Sequence, residues 1–299
     1  MKQVVCTGLA VLDHVFQLPT IPKTPVKSFA SNYIQVGGGN AATAAVALNR
    51  AGGQAVYWGR LGDDHNGNLI LAELEEFGVD VLDVLRMPGV KSGVSSVLID
   101  SSGERLITNY SDPQLIDNAN WLPLERLKES SAVLTDLRWH EGAIKTLNRA
   151  RQLGIPAVLD ADLAPEGLNE EIIRNATHVL FSQPALQEFA AGKSIDKALH
   201  HAEELSQGWV GVTEGPAGTR WLEKGSLRHF PAFKVKAVDT LGAGDVFHGI
   251  FALSLAEGNT EENSVCWASA AAALYCSRSG GRKSIPEREE INNFLKNNK

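Results

Sequence analysis

Two hydrophobic rhythms alternate along most of this chain. Short runs at 4–9, 55–58, 132–134, 155–159, 178–181 and 209–212 are apolar on successive positions, as strands buried on both faces are. Between them, apolar residues recur at helical spacing over 41–51, 65–77, 141–153, 168–174, 184–191 and 196–205. Strands alternating with helices predict a three-layer α/β/α sandwich around a mainly parallel sheet. An apolar helix is predicted over 246–256 and a charged amphipathic one over 287–299.

Two stretches break the alternation. Residues 23–36 and 92–110 show strand-like patterning with no helix between strands. Within the second, 94–100 and 105–110 flank Ser101-Ser102-Gly103-Glu104, a good hairpin turn. Such strands suit a small antiparallel sheet standing off the main body as a lid, drawn from about 14–36 and 89–112. A small sheet is marginal by itself, so it must cover something or pair with a copy of itself. The expected organisation is one domain over 1–299.

Composition narrows the class. With 43% hydrophobic and 21% charged residues in 299, the chain is neither a stapled mini-protein nor disordered. The net charge of −7 supplies no general basic field, which argues against duplex nucleic acid. The three cysteines, Cys6, Cys266 and Cys276, form no Cys-x-x-Cys and read as small core residues of a reducing compartment. No apolar run approaches a spanning helix, and the short N-terminal run is broken by Asp13. The expectation is a cytoplasmic protein with no metal site of its own.

The sharpest local signal is Val238-Asp239-Thr240-Leu241-Gly242-Ala243-Gly244-Asp245, leading into the helix at 246. Glycines at a helix start let N–H groups of Gly242, Ala243 and Gly244 converge on an anion, where the helix dipole adds its positive end. A carboxylate beside an anion site repels the ligand, and general-base duty toward a hydroxyl is one reason for Asp245 to stand there. The same residues also fit a plain helix start with an acidic first turn. Local sequence does not separate the two.

The Asp239-Thr240-x-Gly242-Ala243-Gly244-Asp245 segment resembles the C-terminal signature of the ribokinase-like carbohydrate kinases. Val36-Gly37-Gly38-Gly39-Asn40-Ala41-Ala42 resembles their N-terminal glycine pair, Gly59 to Gly67 their Gly-x-Gly-x-Asp-x-x-Gly element, and Thr213 to Gly218 their nucleotide loop. Gly8 to Asp13 resembles their first strand with a sugar-binding aspartate. Within the family, 37–47, 104–110, 136–142 and 231–235 are similar to the kinases of 6-deoxy-6-sulfofructose, which make its 1-phosphate.

The resemblance implies ATP as phosphoryl donor, Asp245 as general base, and Asp13 with Gly37, Gly38 and Gly39 on the sugar. It implies a sulfonate grip by Lys27, Asn109 and Arg138. Thr213, Gly215 and Gly218 would approach ATP, with Gly280 and Gly281 near the adenine. It also implies a homodimer through the lid sheet. Two positions depart from the family pattern. Ala42 stands where many members have a sugar-binding asparagine, and Ser182-Gln183-Pro184-Ala185 replaces Asn-x-x-Glu. With no carboxylate at that fourth position, Mg²⁺ is expected to be held mainly by ATP phosphates and water.

Other chemistries lack an anchor. Gly192-Lys193-Ser194 ends like a Walker A loop but has Gln187 where its first glycine belongs. Gly37-x-Gly39-x-x-Ala42 fits a dinucleotide fingerprint but lies outside the first βα unit, with no acid about 20 residues on. No Gly-x-Ser-x-Gly or His-Glu-x-x-His is present. His248 is expected to pack against the sheet or cap a turn, and Trp139 to lie near a pocket. The rival readings are a kinase for fructose 6-phosphate or tagatose 6-phosphate, a neutral-sugar kinase, and a non-catalytic sugar-nucleotide sensor.

Overall fold

The computed structural model describes residues 1–298 except 102, 116, 117 and 166. Its strands are β1 (Gln3–Thr7), β2 (Val11–Gln17), β3 (Asn32–Gly38), β4 (Gln54–Trp58), β5 (Arg60–Gly62), β6 (Leu85–Met87), β7 (Val94–Ile99), β8 (Arg105–Tyr110), β9 (Ala132–Asp136), β10 (Ala157–Ala161), β11 (His178–Ser182), β12 (Trp209–Thr213), β13 (Thr219–Glu223) and β14 (Ser226–Phe230). Its α-helices are α1 (Asn40–Arg50), α2 (His65–Glu76), α3 (His140–Leu153), α4 (Glu170–Asn175), α5 (Gln183–Ala190), α6 (Ile195–Ser206), α7 (Ala243–Ala256), α8 (Glu261–Cys276) and α9 (Arg288–Asn297).

Eight strands form the main sheet in the order β14-β13-β12-β11-β10-β9-β1-β4, parallel from β12 to β4 and antiparallel at β13 and β14. The continuous apolar runs follow from burial on two sides. Val4 and Cys6 of β1 point into a core shared with α1, α7 and α8, while Val5 points into one shared with α3, α4 and α6. Helix α7 is buried almost all round, so its sequence is apolar on every face rather than along one stripe. Cys6 is fully buried; Cys266 and Cys276 are only half-buried, because both lie on the outer helix α8. Among the described residues, no helix is long and apolar enough to cross a membrane.

The second sheet has the order β3-β2-β7-β8 and departs from the expected one in three respects. It starts at Val11, because the chain leaves β1 at Gly8 and enters this sheet at once. Asp13 therefore lies on β2 and not on the first strand of the main sheet. The β2–β7 pair is parallel, so the sheet is mixed. Only 32–38 of the first stretch is a strand, and residues 20–31 are irregular and mostly exposed. The β7–β8 hairpin forms as expected, with Gly103 donating to the Asp100 carbonyl; Ser102 of its turn lies outside the described residues.

Helices α1 and α7 approach closely at Gly249. A Cβ there would stand 2.3 Å from the Ala44 carbonyl oxygen and 2.9 Å from its Cα. Gly249→Ala must therefore push α7 away from α1, at a cost of about 1–3 kcal/mol. Thermal denaturation is expected to show the lower midpoint. Unchanged stability would contradict this close packing.

Candidate active site

A cavity of about 510 Å³ opens over the carboxyl ends of the parallel strands, the usual ligand position in such sheets. Its floor is built from residues at the ends of β9, β10, β11 and β12: Arg138, Asp160 with Asp162, Ser182, and Thr213. Helix α7 points its first turn at one wall, and the second sheet forms the opposite wall through Asp13, Ser95, Arg105 and Asn109.

The start of α7 is shaped for an anion. Gly242 is the N-cap, in the left-handed conformation at φ 79°, which glycine adopts without strain. The backbone N–H groups of Gly242, Gly244 and Asp245 have no acceptor among the described residues. Ala243 differs from its expected role. Its N–H donates to the Thr240 carbonyl at 3.2 Å, because the chain turns tightly there, and it does not line the cavity. Tyr275 supports the turn from α8 by donating its hydroxyl to the Leu241 carbonyl at 2.6 Å.

Asp245 lies in this first turn, on the cavity. Desolvation and then the carboxylates of Asp160, Asp162 and Asp136 push its carboxyl well above the ordinary range, against a smaller opposing pull from Arg282. His248, one turn further along, is buried with its Nδ1 3.1 Å from Asp160 Oδ2. It faces the strand ends, as packing against the sheet requires.

The acceptor end is organised by groups that sequence spacing did not single out. Asp136, fully enclosed, accepts N–H bonds from Leu9 at 2.7 Å, Ala41 at 3.1 Å and Arg138 at 2.9 Å. Arg282, only 2% exposed, pairs with Glu73 at 3.0 Å and donates to the Gly38 carbonyl at 2.8 Å and to Thr43 Oγ1. Gly38 leaves no room for a side chain, since a Cβ would stand 2.1 Å from an oxygen of Asp13. Burial raises the Asp13 carboxyl, and the Ser95 hydrogen bond and Arg282 pull it back.

The cavity brings together Asp13, Gly37, Gly38, Gly39, Asn109, Arg138, Thr213, Gly242, Gly244, Asp245 and Gly281. The Arg138 guanidinium and the Asn109 amide make no hydrogen bond or ion pair to other described residues, so both are available to a ligand. Asn40 also lines the cavity, its amide 3.4 Å from Asp160.

Other expected residues lie elsewhere. Lys27 is held in the irregular segment before β3, its ammonium 5.6 Å over the Phe29 ring, and does not line the cavity. Gly215 and Gly218 shape the turn after Thr213 without lining it. Gly280 lines a separate, mostly apolar cavity of about 250 Å³, which Gly281 borders as well as the main one. Trp139 is 3% exposed and stacked on Trp121, because it starts α3 on the far side of the sheet.

A three-layer α/β body, a small mixed sheet over the strand ends, and a carboxylate in an anion-binding helix turn define a carbohydrate kinase. The chain belongs to the pfkB family of carbohydrate kinases, which it matches over residues 1–288. It is 28% identical to the ribokinase of Bacillus subtilis over 99% of this chain and 100% of that one. A candidate ribokinase from Agrobacterium tumefaciens superposes with a TM-score of 0.94 at 39% identity, covering 99% of this chain and 98% of that one. The ribokinase of Thermotoga maritima gives 0.84 at 27%, covering 99% of both. The protein is thus an ATP-dependent sugar kinase with the ribokinase-like fold.

The raised carboxyl of Asp245 sets a pH expectation. For Asp245 acting as a general base, a role proposed below, kcat/KM is expected to fall on the acid side with a midpoint above the usual aspartate value of about 4. A profile flat down to about pH 4 would contradict this environment for Asp245.

Proposed function

We propose that the enzyme transfers the γ-phosphoryl group of ATP to the 1-hydroxyl of 6-deoxy-6-sulfofructose, giving the 1-phosphate. The observation that carries this reading is the unpartnered Arg138 guanidinium on the acceptor side of the cavity, with the Asn109 amide on the opposite wall. A neutral sugar leaves that charge without a counterpart. A sulfonate supplies one negative charge and three acceptor oxygens, and each charge-assisted bond contributes about 1.5–3 kcal/mol.

Each group then has a task. Asp13 and the backbone around Gly37–Gly39 hold sugar hydroxyls. Asp245 accepts the proton of the attacking hydroxyl, which leaves late in a loose transition state. The free N–H groups of Gly242, Gly244 and Asp245 stabilise charge on the transferring oxygens. Thr213 stands at the nucleotide end, with Gly215 and Gly218 shaping the loop behind it. The exposed apolar positions on the face of the second sheet turned away from the cavity, Tyr33, Leu106 and Tyr110, suit pairing with a second copy.

One observation favours a second reading, a kinase for a phosphorylated ketose. Arg105 also lines the cavity, and two guanidiniums suit the charge of about −1.5 to −2 on a phosphate. ATP-dependent turnover on sulfofructose and fructose 6-phosphate, side by side, separates the two. Preference for sulfofructose, with Arg138→Ala lowering kcat/KM about 10- to 100-fold, is the expected result. Preference for the phosphate ester would transfer the proposal to that substrate, and an Arg138→Ala variant as active as wild type would end the anion assignment. Asp245→Asn is expected to lose about 10²- to 10⁴-fold in kcat while still binding both ligands. Full turnover in that variant would remove Asp245 from the base role.

A further inference from the structure

The sequence alone leaves the divalent cation of the nucleotide without a protein partner, because the segment Ser182-Gln183-Pro184-Ala185 offers no carboxylate at its fourth position. The structure supplies carboxylates from another strand. β10 stands between β9 and β1, which lead to Arg138 and the turn before Asp13, and β11 and β12, which lead to Ser182 and Thr213. Asp160 on β10 and Asp162 just beyond it line the cavity at this midpoint. They sit where a phosphate chain must cross from nucleotide to acceptor.

Both side chains are held in place. Asp162 Oδ1 accepts from Ser182 Oγ at 2.7 Å, and Ser182 itself caps α5 by accepting from the Ala185 N–H. Asp160 is fully buried. Its Oδ2 faces Asn40 Nδ2 at 3.4 Å and His248 Nδ1 at 3.1 Å, whereas its Oδ1 has no hydrogen-bond partner among the described residues. A carboxylate oxygen removed from water and left unpaired is costly, so its retention calls for a donor or a cation.

Charge makes the same demand. Four carboxylates line the cavity, those of Asp13, Asp160, Asp162 and Asp245. The lining cations are Arg105, Arg138 and Arg282, and no lysine is among them. Arg282 is already paired with Glu73, and Arg105 and Arg138 belong to the acceptor half. The nucleotide half thus holds negative charge before a triphosphate arrives. A divalent cation is the species that reverses its sign.

We propose that Asp162, backed by Asp160, holds the divalent cation that accompanies the nucleotide phosphates, largely through water, with Ser182 fixing the orientation of Asp162. Mg²⁺ commonly keeps several waters and takes one or two carboxylates alongside phosphate oxygens. Among the described residues, no three acidic, histidine or cysteine groups converge to hold a metal unaided, which agrees with a site that phosphates complete. The inference rests on the ATP-dependent reading of the same cavity.

Calorimetric titration of the full chain with a non-hydrolysable ATP analogue, with Mg²⁺ and with chelator, tests it. In wild type, Mg²⁺ is expected to tighten binding about tenfold or more. Asp162→Asn should lose most of that enhancement while binding the metal-free analogue at least as tightly, because a repelling charge has gone. Asp162→Glu should keep part of it, and Ser182→Ala, which leaves the carboxylate but frees it, should lose part. An enhancement in Asp162→Asn equal to that of wild type would overturn the assignment. So would an equal loss of affinity with and without metal, which marks a structural role. If wild type binds no nucleotide under either condition, the nucleotide reading fails and the cation site fails with it.

Discussion

One enclosed carboxylate organises the acceptor end of this enzyme. Asp136 accepts N–H bonds from Leu9, Ala41 and Arg138, which belong to the turn between β1 and β2, the first turn of α1, and the loop after β9. Its position depends in turn on Gly8, where a Cβ would come within 2.4 Å of all three carboxyl atoms. The exit of β2 into the second sheet, the glycine run before α1 and the backbone bearing Arg138 thus share a single anchor. Removing the carboxylate would leave three N–H groups in a dry interior, each costing about 1–3 kcal/mol. Burial itself raises the Asp136 carboxyl, and those three donors are what oppose the shift.

The catalytic end has a complementary logic. The unpaired N–H groups at the start of α7 provide positive potential, and the carboxylates of Asp160, Asp162 and Asp245 provide negative charge beside it. Neither set is a stable arrangement alone. The N–H groups lack acceptors among the described residues, and burial, with repulsion from the neighbouring carboxylates added to it, lifts Asp245. A bound phosphate chain would satisfy the first and a cation the second, so on the proposed assignment the site is complementary to a pair of ligands rather than to either one.

The main sheet and most helices were legible because burial on two faces leaves a direct mark on composition. The motif around Gly242–Asp245 was legible because a glycine-rich helix start with an acidic first turn is a local pattern. What escaped has physical reasons. The strand read over 155–159 runs in fact from Ala157 to Ala161, and stopping it early hid Asp160 and Asp162 among loop residues. Asp136 holds Leu9 and Ala41, and Arg282 holds Glu73 and Gly38, across 95 to 244 positions, and no spacing rule reaches that far. Asp13 was found but placed on the wrong sheet, since nothing local shows that the chain changes sheets at Gly8. Lys27 was carried over by resemblance into a segment that the fold leaves irregular and outside the cavity.

The strand order divides the molecule's inheritance as well as its cavity. Asp13, the glycine run, Arg105, Asn109 and Arg138 all come from the first 138 residues, whereas Asp160, Asp162, Ser182, Thr213 and Asp245 come from the remainder of the chain. On the proposed assignment of roles, changes in the earlier part could redraw the choice of sugar while the residues assigned to phosphoryl transfer stay as they are.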